Sequence, residues 1–125
     1  MIVGIGTDMV EIDRVARVQA RHSRFAARVL SKAEQAVWQA RGQCSAFLAK
    51  RWAAKEAVLK ALGTGLRDGL RLRDIQVLND DLGAPQVALS GRCAERAREL
   101  GIDRWHVSLS DTDNLALAFV VAEGA

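Results

Sequence analysis

The chain has 125 residues, which suits one domain over residues 1–125 that buries roughly two-thirds of its unfolded surface. Half of the residues are hydrophobic and 26% are charged, which excludes a disordered chain. The formal charge of +3 favours anionic partners, but 5% aromatic residues and no tyrosine argue against a nucleic-acid-binding protein.

The two cysteines and the N-terminal residues indicate where the protein works. Cys44 and Cys93 have no metal-binding or redox spacing, which predicts reduced thiols in a cytoplasmic protein. The first residues, MIVG, lack the basic start and long apolar region of a signal peptide. No apolar run approaches the length that spans a membrane, so we expect no membrane association.

The first predicted element is a short strand over residues 2–6, where β-branched residues alternate with glycine. The glycines would let another backbone or a ligand come close. The strand would deliver Thr7 and Asp8 to its carboxyl end. Asp8 could bind a ligand there, or it could cap the helix that follows.

Helical spacing begins at Asp13, and arginines recur along it at intervals of three and four residues. They form one guanidinium stripe, which a break at His22-Ser23 would bend: Arg14, Arg17, Arg21, Arg24 and Arg28. The stripe could be a solvated helix face, or it could bind an acidic protein or a nucleic acid. Without interleaved aromatic residues for stacking, an acidic protein is the favoured partner.

Two further helices follow in the first half of the chain. Ser31 and Glu34 form a capping box that begins a helix ending near Arg41. The run FLAKRWAAKEAVLKALGTG, residues 47–65, predicts a long apolar helix with Ser45 as its cap and glycines at its end.

One face of this central helix carries Trp52, Glu56, Lys60 and Gly63. Glu56 and Lys60 could form an ordinary i, i+4 ion pair, or they could lie at the mouth of a cleft.

The second half of the chain predicts a basic connection, a hairpin, a helix and two strands. The connection, residues 66–73, could hold phosphates or be an ordinary loop. The hairpin pairs residues 74–78 with 86–89 and has Pro85 before its second strand; a helix from Ser90 to residue 100 follows. Strands at residues 105–110 and 115–122 complete an α+β domain, with a small antiparallel sheet packed against the long central helix.

Several kinds of chemistry find no support in the residues. Ser108 and Ser110 share a strand with His106 and stand in no GxSxG motif, which disfavours a nucleophilic triad. Neither a dinucleotide fingerprint nor a Walker loop is present. Asp8 and Glu56 remain as two carboxylates on different elements that could converge on Mg²⁺, with Lys60 placed to neutralise phosphate charge.

Three sequence blocks carry a more specific signal. IVGIGTDMVEI at the start, RWAAKEAVLKALGTG in the middle and WHVSLS near the end resemble the blocks of the holo-[acyl-carrier-protein] synthases, the short 4′-phosphopantetheinyl transferases. The blocks stand in the family's order and span nearly the whole chain. The resemblance implies the 4′-phosphopantetheinyl transferase fold and transfer of the phosphopantetheine arm of coenzyme A to a serine of acyl carrier protein. Adenosine 3′,5′-bisphosphate would be released.

The resemblance also implies roles for individual residues. Asp8 and Glu56 would bind Mg²⁺ with the pyrophosphate of coenzyme A, and Lys60 would contact the phosphates, so these three are the candidate catalytic residues. Glu56 or a metal-bound water would take the proton of the carrier serine. The remaining coenzyme A contacts would come from Gly63 and Gly65 along the nucleotide, His106 near the 3′-phosphate and Pro85 on the adenine. His106 could equally be a structural donor, and Lys55 could form a structural ion pair.

The implied partners are coenzyme A and acyl carrier protein, in fatty acid biosynthesis and lipid metabolism. Arg14, Arg21 and Arg24 would meet the acidic carrier. The family pattern also implies a homotrimer with active sites between subunits. One departure is Asp111, which stands where many relatives have a second histidine. The alternative hypothesis is a non-catalytic basic adaptor that binds an acidic protein or RNA through the arginine stripe.

Overall fold

The computed structural model describes residues 1–125 and has two antiparallel β-sheets and five α-helices. The elements are β1 (Ile2–Glu11), α1 (Ile12–Arg21), α2 (Phe25–Val29), α3 (Lys32–Ala40), α4 (Ser45–Leu62), β2 (Ile75–Asn79), β3 (Pro85–Leu89), α5 (Gly91–Glu99), β4 (Ile102–Asp111) and β5 (Leu115–Gly124), with a 3₁₀ turn at Leu72–Asp74. The α+β class is therefore confirmed. None of the helices combines the length and apolar character needed to cross a bilayer.

The larger sheet has the strand order β1-β5-β4, with every pair antiparallel. The alanines and valine of β5 at positions 116, 118, 120 and 122 are fully buried on its inner face. The residues between them point to the outer face, where Phe119 lies between Thr7 of β1 and Ser108 of β4. This alternation places the core on one side of the sheet only.

Helix α4 covers the inner face at unusually close range, because small residues meet on both sides. A Cβ atom added to Gly6 would overlap the backbone carbonyl of Ala57, and one added to Gly4 would overlap that of Ala61. The prediction that these glycines admit another backbone is thus confirmed: the backbone is that of α4. The close packing lets side chains of the two elements meet, as Lys60 Nζ of α4 and Asp8 Oδ1 of β1 do at 3.2 Å.

Helix ends match the sequence signals in part. Ser31 Oγ accepts from the Glu34 N–H at 3.2 Å while Glu34 Oε1 accepts from the Ser31 N–H at 2.7 Å, which confirms the capping box. Gly63 ends α4 in the left-handed region with φ of 77°. The predicted cap at Ser45 is wrong, because Ser45 is the first helical residue and the N-cap is Cys44.

The position predicted for Asp8 is also wrong. Strand β1 continues to Glu11, so Asp8 lies inside the strand, opposite Ala118 of β5, and the N-cap of α1 is Glu11. The strand continues because residues 9–11 pair with residues 115–117 of β5. Asp8 therefore faces α4 rather than a strand end.

The arginine stripe is bent, as a break at His22-Ser23 would require. Helix α1 ends at Arg21 and α2 begins at Phe25. The β2–β3 hairpin forms a second sheet instead of joining the first. A buried guanidinium links it to α4, since Arg51 Nε donates to the carbonyl of Val77 at 2.9 Å.

Candidate active site

A cavity of about 460 Å³ opens between β1, α1 and α4. Asp8 and Glu56 both line it, together with Arg14, Trp52 and Phe25. The structure thus brings the two predicted carboxylates together, although they are far apart in sequence. They meet because Gly6 and Ala57, their close neighbours in sequence, allow β1 and α4 to touch.

The two carboxylates disturb one another electrostatically. Burial raises the pKa of Glu56, and the charge of Asp8 raises it further, while Lys60 acts in the opposite direction. Two like charges at one partly buried cavity are unfavourable unless a cation balances them. The site is therefore suited to bind a positive charge.

Lys60 supplies part of that charge in the protein itself. Its Nζ donates to the backbone carbonyl of Thr7 at 2.8 Å and to Asp8 Oδ1 at 3.2 Å. The alternative of an i, i+4 ion pair with Glu56 is wrong, because the lysine reaches across to β1 instead. The side chain of Asp8 is 19% exposed and that of Lys60 is 55% exposed.

The donor set of the cavity fits a hard divalent cation. Asp8 and Glu56 offer carboxylate oxygens, and no cluster of three or more metal-binding side chains occurs in the chain. Mg²⁺ is commonly held by one or two carboxylates, with substrate phosphates and water completing its coordination. A phosphate-bearing substrate would thus fill the remaining positions.

Lys55 adjoins Glu56 but belongs to the core. Its Nζ donates to Glu34 Oε1 at 2.6 Å and to the carbonyls of Val29 and Leu72, at 2.6 and 3.1 Å. Both charged side chains are fully buried. The structural ion pair considered for Lys55 is confirmed, and its partner Glu34 is a residue that the sequence pattern marked only as a helix cap.

A second cavity, of about 410 Å³, contains two of the predicted coenzyme A residues. Pro85 and His106 line it, together with Arg104 and Trp105. His106 Nε2 lies 2.9 Å from Glu123 Oε1, and this hydrogen bond is the main reason why the pKa of Glu123 is lowered. The two cavities share no lining residue.

The remaining predicted residues lie around these cavities. Gly63 and Gly65 follow α4 with φ of 77° and 63°, and neither borders either cavity. Asp111 forms an ion pair with Lys50 at 3.2 Å, which ties the end of β4 to α4. The structure therefore gives Asp111 a contact of its own in place of the family's histidine.

The arginine stripe begins at the first cavity and leads away from it. Arg14 lines that cavity, whereas Arg21 and Arg24 are exposed on the segment that follows. None of the five stripe arginines forms an ion pair within the chain. Their charge is therefore free for an external anionic partner.

Two aromatic residues that carried no predicted role form a wall of the first cavity. The rings of Phe25 and Trp52 lie 5.6 Å apart, centroid to centroid, and both also border an apolar groove on their other side. For Trp52, its position on the same face of α4 as Glu56 and Lys60 could have indicated a place at the cavity. Phe25 gave no local signal.

An α+β fold that brings two carboxylates to one cavity, with a lysine in contact with one of them, is suited to a substrate that carries phosphates. The chain belongs to the 4′-phosphopantetheinyl transferase superfamily, whose model matches residues 4–120. It is 48% identical over 124 residues to the holo-[acyl-carrier-protein] synthase of Hydrogenovibrio crunogenus, with 98% of each chain covered.

Solved structures agree with this assignment. The holo-[acyl-carrier-protein] synthase of Neisseria meningitidis superposes with a TM-score of 0.91 at 41% identity, covering 98% of this chain and 99% of that one. The holo-(acyl-carrier-protein) synthase of Bacillus anthracis, in complex with CoA (3′,5′-ADP), gives a TM-score of 0.81 at 36% identity, with 100% and 99% covered. The 4′-phosphopantetheinyl transferase fold predicted from the sequence is confirmed.

Proposed function

We propose that this chain transfers the 4′-phosphopantetheine group of coenzyme A to a serine of apo acyl carrier protein. The products are holo acyl carrier protein and adenosine 3′,5′-bisphosphate. The observation that carries the proposal is the meeting of Asp8 and Glu56 at one cavity, with Lys60 against Asp8. Relatives across the whole chain length are named for this activity, and a structural neighbour contains CoA (3′,5′-ADP).

Three side chains would bind and orient the pyrophosphate end of coenzyme A. Asp8 and Glu56 would hold Mg²⁺, which when bound supplies Lewis-acid neutralisation of the phosphate charge. Lys60 adds a positive charge beside Asp8. Arg14 also lines this cavity.

Glu56 is our candidate for the general base. Burial and the charge of Asp8 raise the pKa of its carboxyl in the metal-free protein, and a bound Mg²⁺ would act in the opposite direction, so its role as base rests on its place at the cavity. The serine hydroxyl passes its proton to Glu56 while the oxygen forms a bond to the phosphorus that carries the pantetheine arm. The bond from this phosphorus to the bridging oxygen breaks, and adenosine 3′,5′-bisphosphate leaves with the electron pair.

We propose that the second cavity receives the nucleotide end of coenzyme A. Arg104 and His106 bring donors for a 3′-phosphate, and Pro85 offers an apolar surface for adenine. His106 Nε2 lies 2.9 Å from Glu123 Oε1, so a phosphate would have to compete with this carboxylate for the imidazole. We place Gly63 and Gly65 beside the nucleotide on the resemblance alone.

We propose a homotrimer in which each active site lies between two subunits. The outer face of the larger sheet exposes apolar side chains that a single chain leaves uncovered: Ile5 (60% exposed), Met9 (62%), Leu117 (41%) and Phe119 (47%). In addition, the first and second cavities share no lining residue within one chain. A neighbouring subunit could bring the second cavity of one chain to the first cavity of another.

Acyl carrier protein is the proposed macromolecular partner. Arg14, Arg21 and Arg24 have no internal ion pairs and lead from the first cavity outward, so an acidic carrier could dock with its serine at the cavity. We also propose that the protein acts in the cytoplasm, in fatty acid biosynthesis. Both cysteines are free, which suits a reducing compartment.

The test is a transfer assay with coenzyme A, Mg²⁺ and apo acyl carrier protein, followed by mass spectrometry of the carrier. We expect a mass increase equal to one phosphopantetheine arm. Asp8→Ala and Glu56→Ala should each lower the rate at least about a hundredfold with the fold retained. Unimpaired turnover in both variants would remove the proposed site, and salt-dependent carrier binding without transfer would favour the adaptor hypothesis.

A further inference from the structure

Lys60 makes two contacts that its proposed role with phosphate does not require. Its Nζ donates to Asp8 Oδ1 at 3.2 Å and to the carbonyl of Thr7 at 2.8 Å. Both acceptors belong to β1, so the ammonium bridges the end of α4 to the strand that carries Asp8. It is the only cation in ion-pair contact with Asp8.

This contact competes with the proposed metal site. An ammonium on Asp8 Oδ1 neutralises the same carboxylate that a divalent cation would bind, and the ammonium and the cation repel one another at close range. Lys60 cannot stay on Asp8 and neutralise a substrate phosphate at full strength. Its side chain is 55% exposed, so little packing opposes a movement from one partner to the other.

We propose that Lys60 is an internal counter-cation for Asp8 that competes with the divalent ion and leaves for phosphate when coenzyme A binds. The inference rests on the function proposed above and adds that binding of coenzyme A promotes binding of the divalent ion. Without coenzyme A, Lys60 holds Asp8 and the divalent ion binds weakly. With coenzyme A, the lysine is drawn to the phosphate, Asp8 is released and the divalent ion binds more tightly. Coenzyme A and the divalent ion therefore bind cooperatively, and Lys60 couples the two binding events.

The experiment measures Mn²⁺ binding to the whole protein by the loss of the free-ion EPR signal, first with Mn²⁺ alone and then with coenzyme A. We compare wild type with Lys60→Met, which keeps most of the length of the side chain and removes its charge. Lys60→Met should bind Mn²⁺ alone roughly three- to tenfold more tightly than wild type. The gain in Mn²⁺ affinity on adding coenzyme A should shrink by about the same factor.

Arg14→Met is the matched control, because Arg14 lines the same cavity and carries the same charge but makes no ion pair with Asp8. It should change Mn²⁺ affinity clearly less than Lys60→Met. Glu56→Gln should lower Mn²⁺ affinity, which assigns the signal to this cavity. Circular dichroism of each variant checks its fold.

Equal Mn²⁺ affinities for wild type and Lys60→Met would overturn the inference, as would equal effects of Lys60→Met and Arg14→Met. Absence of Mn²⁺ binding in every variant would overturn it as well. The transfer assay separates this result from failure of the proposed function. If wild type modifies the carrier while Lys60→Met binds Mn²⁺ no more tightly, the function stands and the competition by Lys60 does not.

Discussion

At the residue scale, Glu56 is held in a surrounding that disfavours its charge. Burial and the neighbouring Asp8 both raise the pKa of its carboxyl, so ionising Glu56 costs the folded protein more than it costs the unfolded chain. The folded state therefore binds more protons than the unfolded state in the pH range just above the ordinary pKa of glutamate. Stability contributed by the protonated group is lost as pH rises through the raised pKa.

Glu56→Gln should raise the stability of the metal-free protein at neutral pH, because the amide carries no charge next to Asp8. The gain should disappear in acid, below the ordinary pKa of glutamate, where the wild-type carboxyl is protonated in both states. Urea unfolding from acid to neutral pH checks this. A gain that is the same at every pH would contradict the explanation.

Lys55 and Glu34 form the other charged pair with an energetic consequence, and they lie in the core. Glu34 accepts from the N–H groups of Ser31 and Val77, at 2.7 and 2.9 Å, as well as from Lys55. Burial lowers the pKa of Lys55, while Glu34 opposes this shift. Each charge thus depends on the other to remain inside.

Lys55→Met should lower the free energy of unfolding by about 3–5 kcal/mol, because it leaves the carboxylate of Glu34 buried without its partner. Adding Glu34→Gln should recover part of this loss, since glutamine keeps an acceptor and carries no charge. Urea unfolding of both variants at neutral pH provides the comparison. A loss in Lys55→Met of under about 0.5 kcal/mol, the range of neutral surface changes, would show that the pair is not needed.

At the element scale, local signals predicted the helices and strands better than the positions of the site residues. The capping box of Ser31 and Glu34 is read over three residues, and it was confirmed. The contacts of Glu34 with Lys55 and Val77 span 21 and 43 residues, and no local pattern contains them. The site could be predicted in part because the family motifs mark Asp8 and Glu56, whereas Glu123 belongs to no such motif.

The contact of β1 with α4 decides where Asp8 stands, and it offers a direct test. Gly6→Ala places a Cβ against the carbonyl of Ala57, and we expect a loss of about 1–3 kcal/mol in stability together with slower transfer. Ala57→Gly should not rescue the variant, because the obstacle is backbone. Urea unfolding and the transfer assay measure both effects.

The control is Arg98→Ala, an exposed residue of α5 that forms no ion pair and lines neither cavity. It should change stability by no more than about 0.5 kcal/mol. Rescue of Gly6→Ala by Ala57→Gly would show that the side chain of Ala57, rather than the helix backbone, limits the approach.

At the scale of the whole molecule, the separation of the two cavities makes the proposed trimer testable by mixing inactive variants. Glu56→Gln damages the first cavity and His106→Ala the second. In mixed trimers with sites between neighbours, about a quarter of the sites would combine two intact halves. We expect refolded or co-expressed mixtures to recover transfer activity that neither variant has alone.

Native mass spectrometry of the same mixtures shows whether mixed oligomers have formed. Mixed trimers that remain inactive would contradict an active site shared between subunits. A specific activity that stays constant when the protein is diluted until trimers dissociate would indicate that one chain suffices.

The packing of β1 on α4 also limits how the chain can vary in length. Two steps along the strand, from Gly4 to Gly6, match four steps back along the helix, from Ala61 to Ala57. The two distances are similar, at about 6.8 Å for the strand and about 6.0 Å for the helix. Successive inward-facing residues of the strand therefore stay opposite successive turns of the helix. Inserting or deleting a single residue between Gly4 and Asp8 would shift this alignment and turn the carboxylate to the opposite side of the sheet.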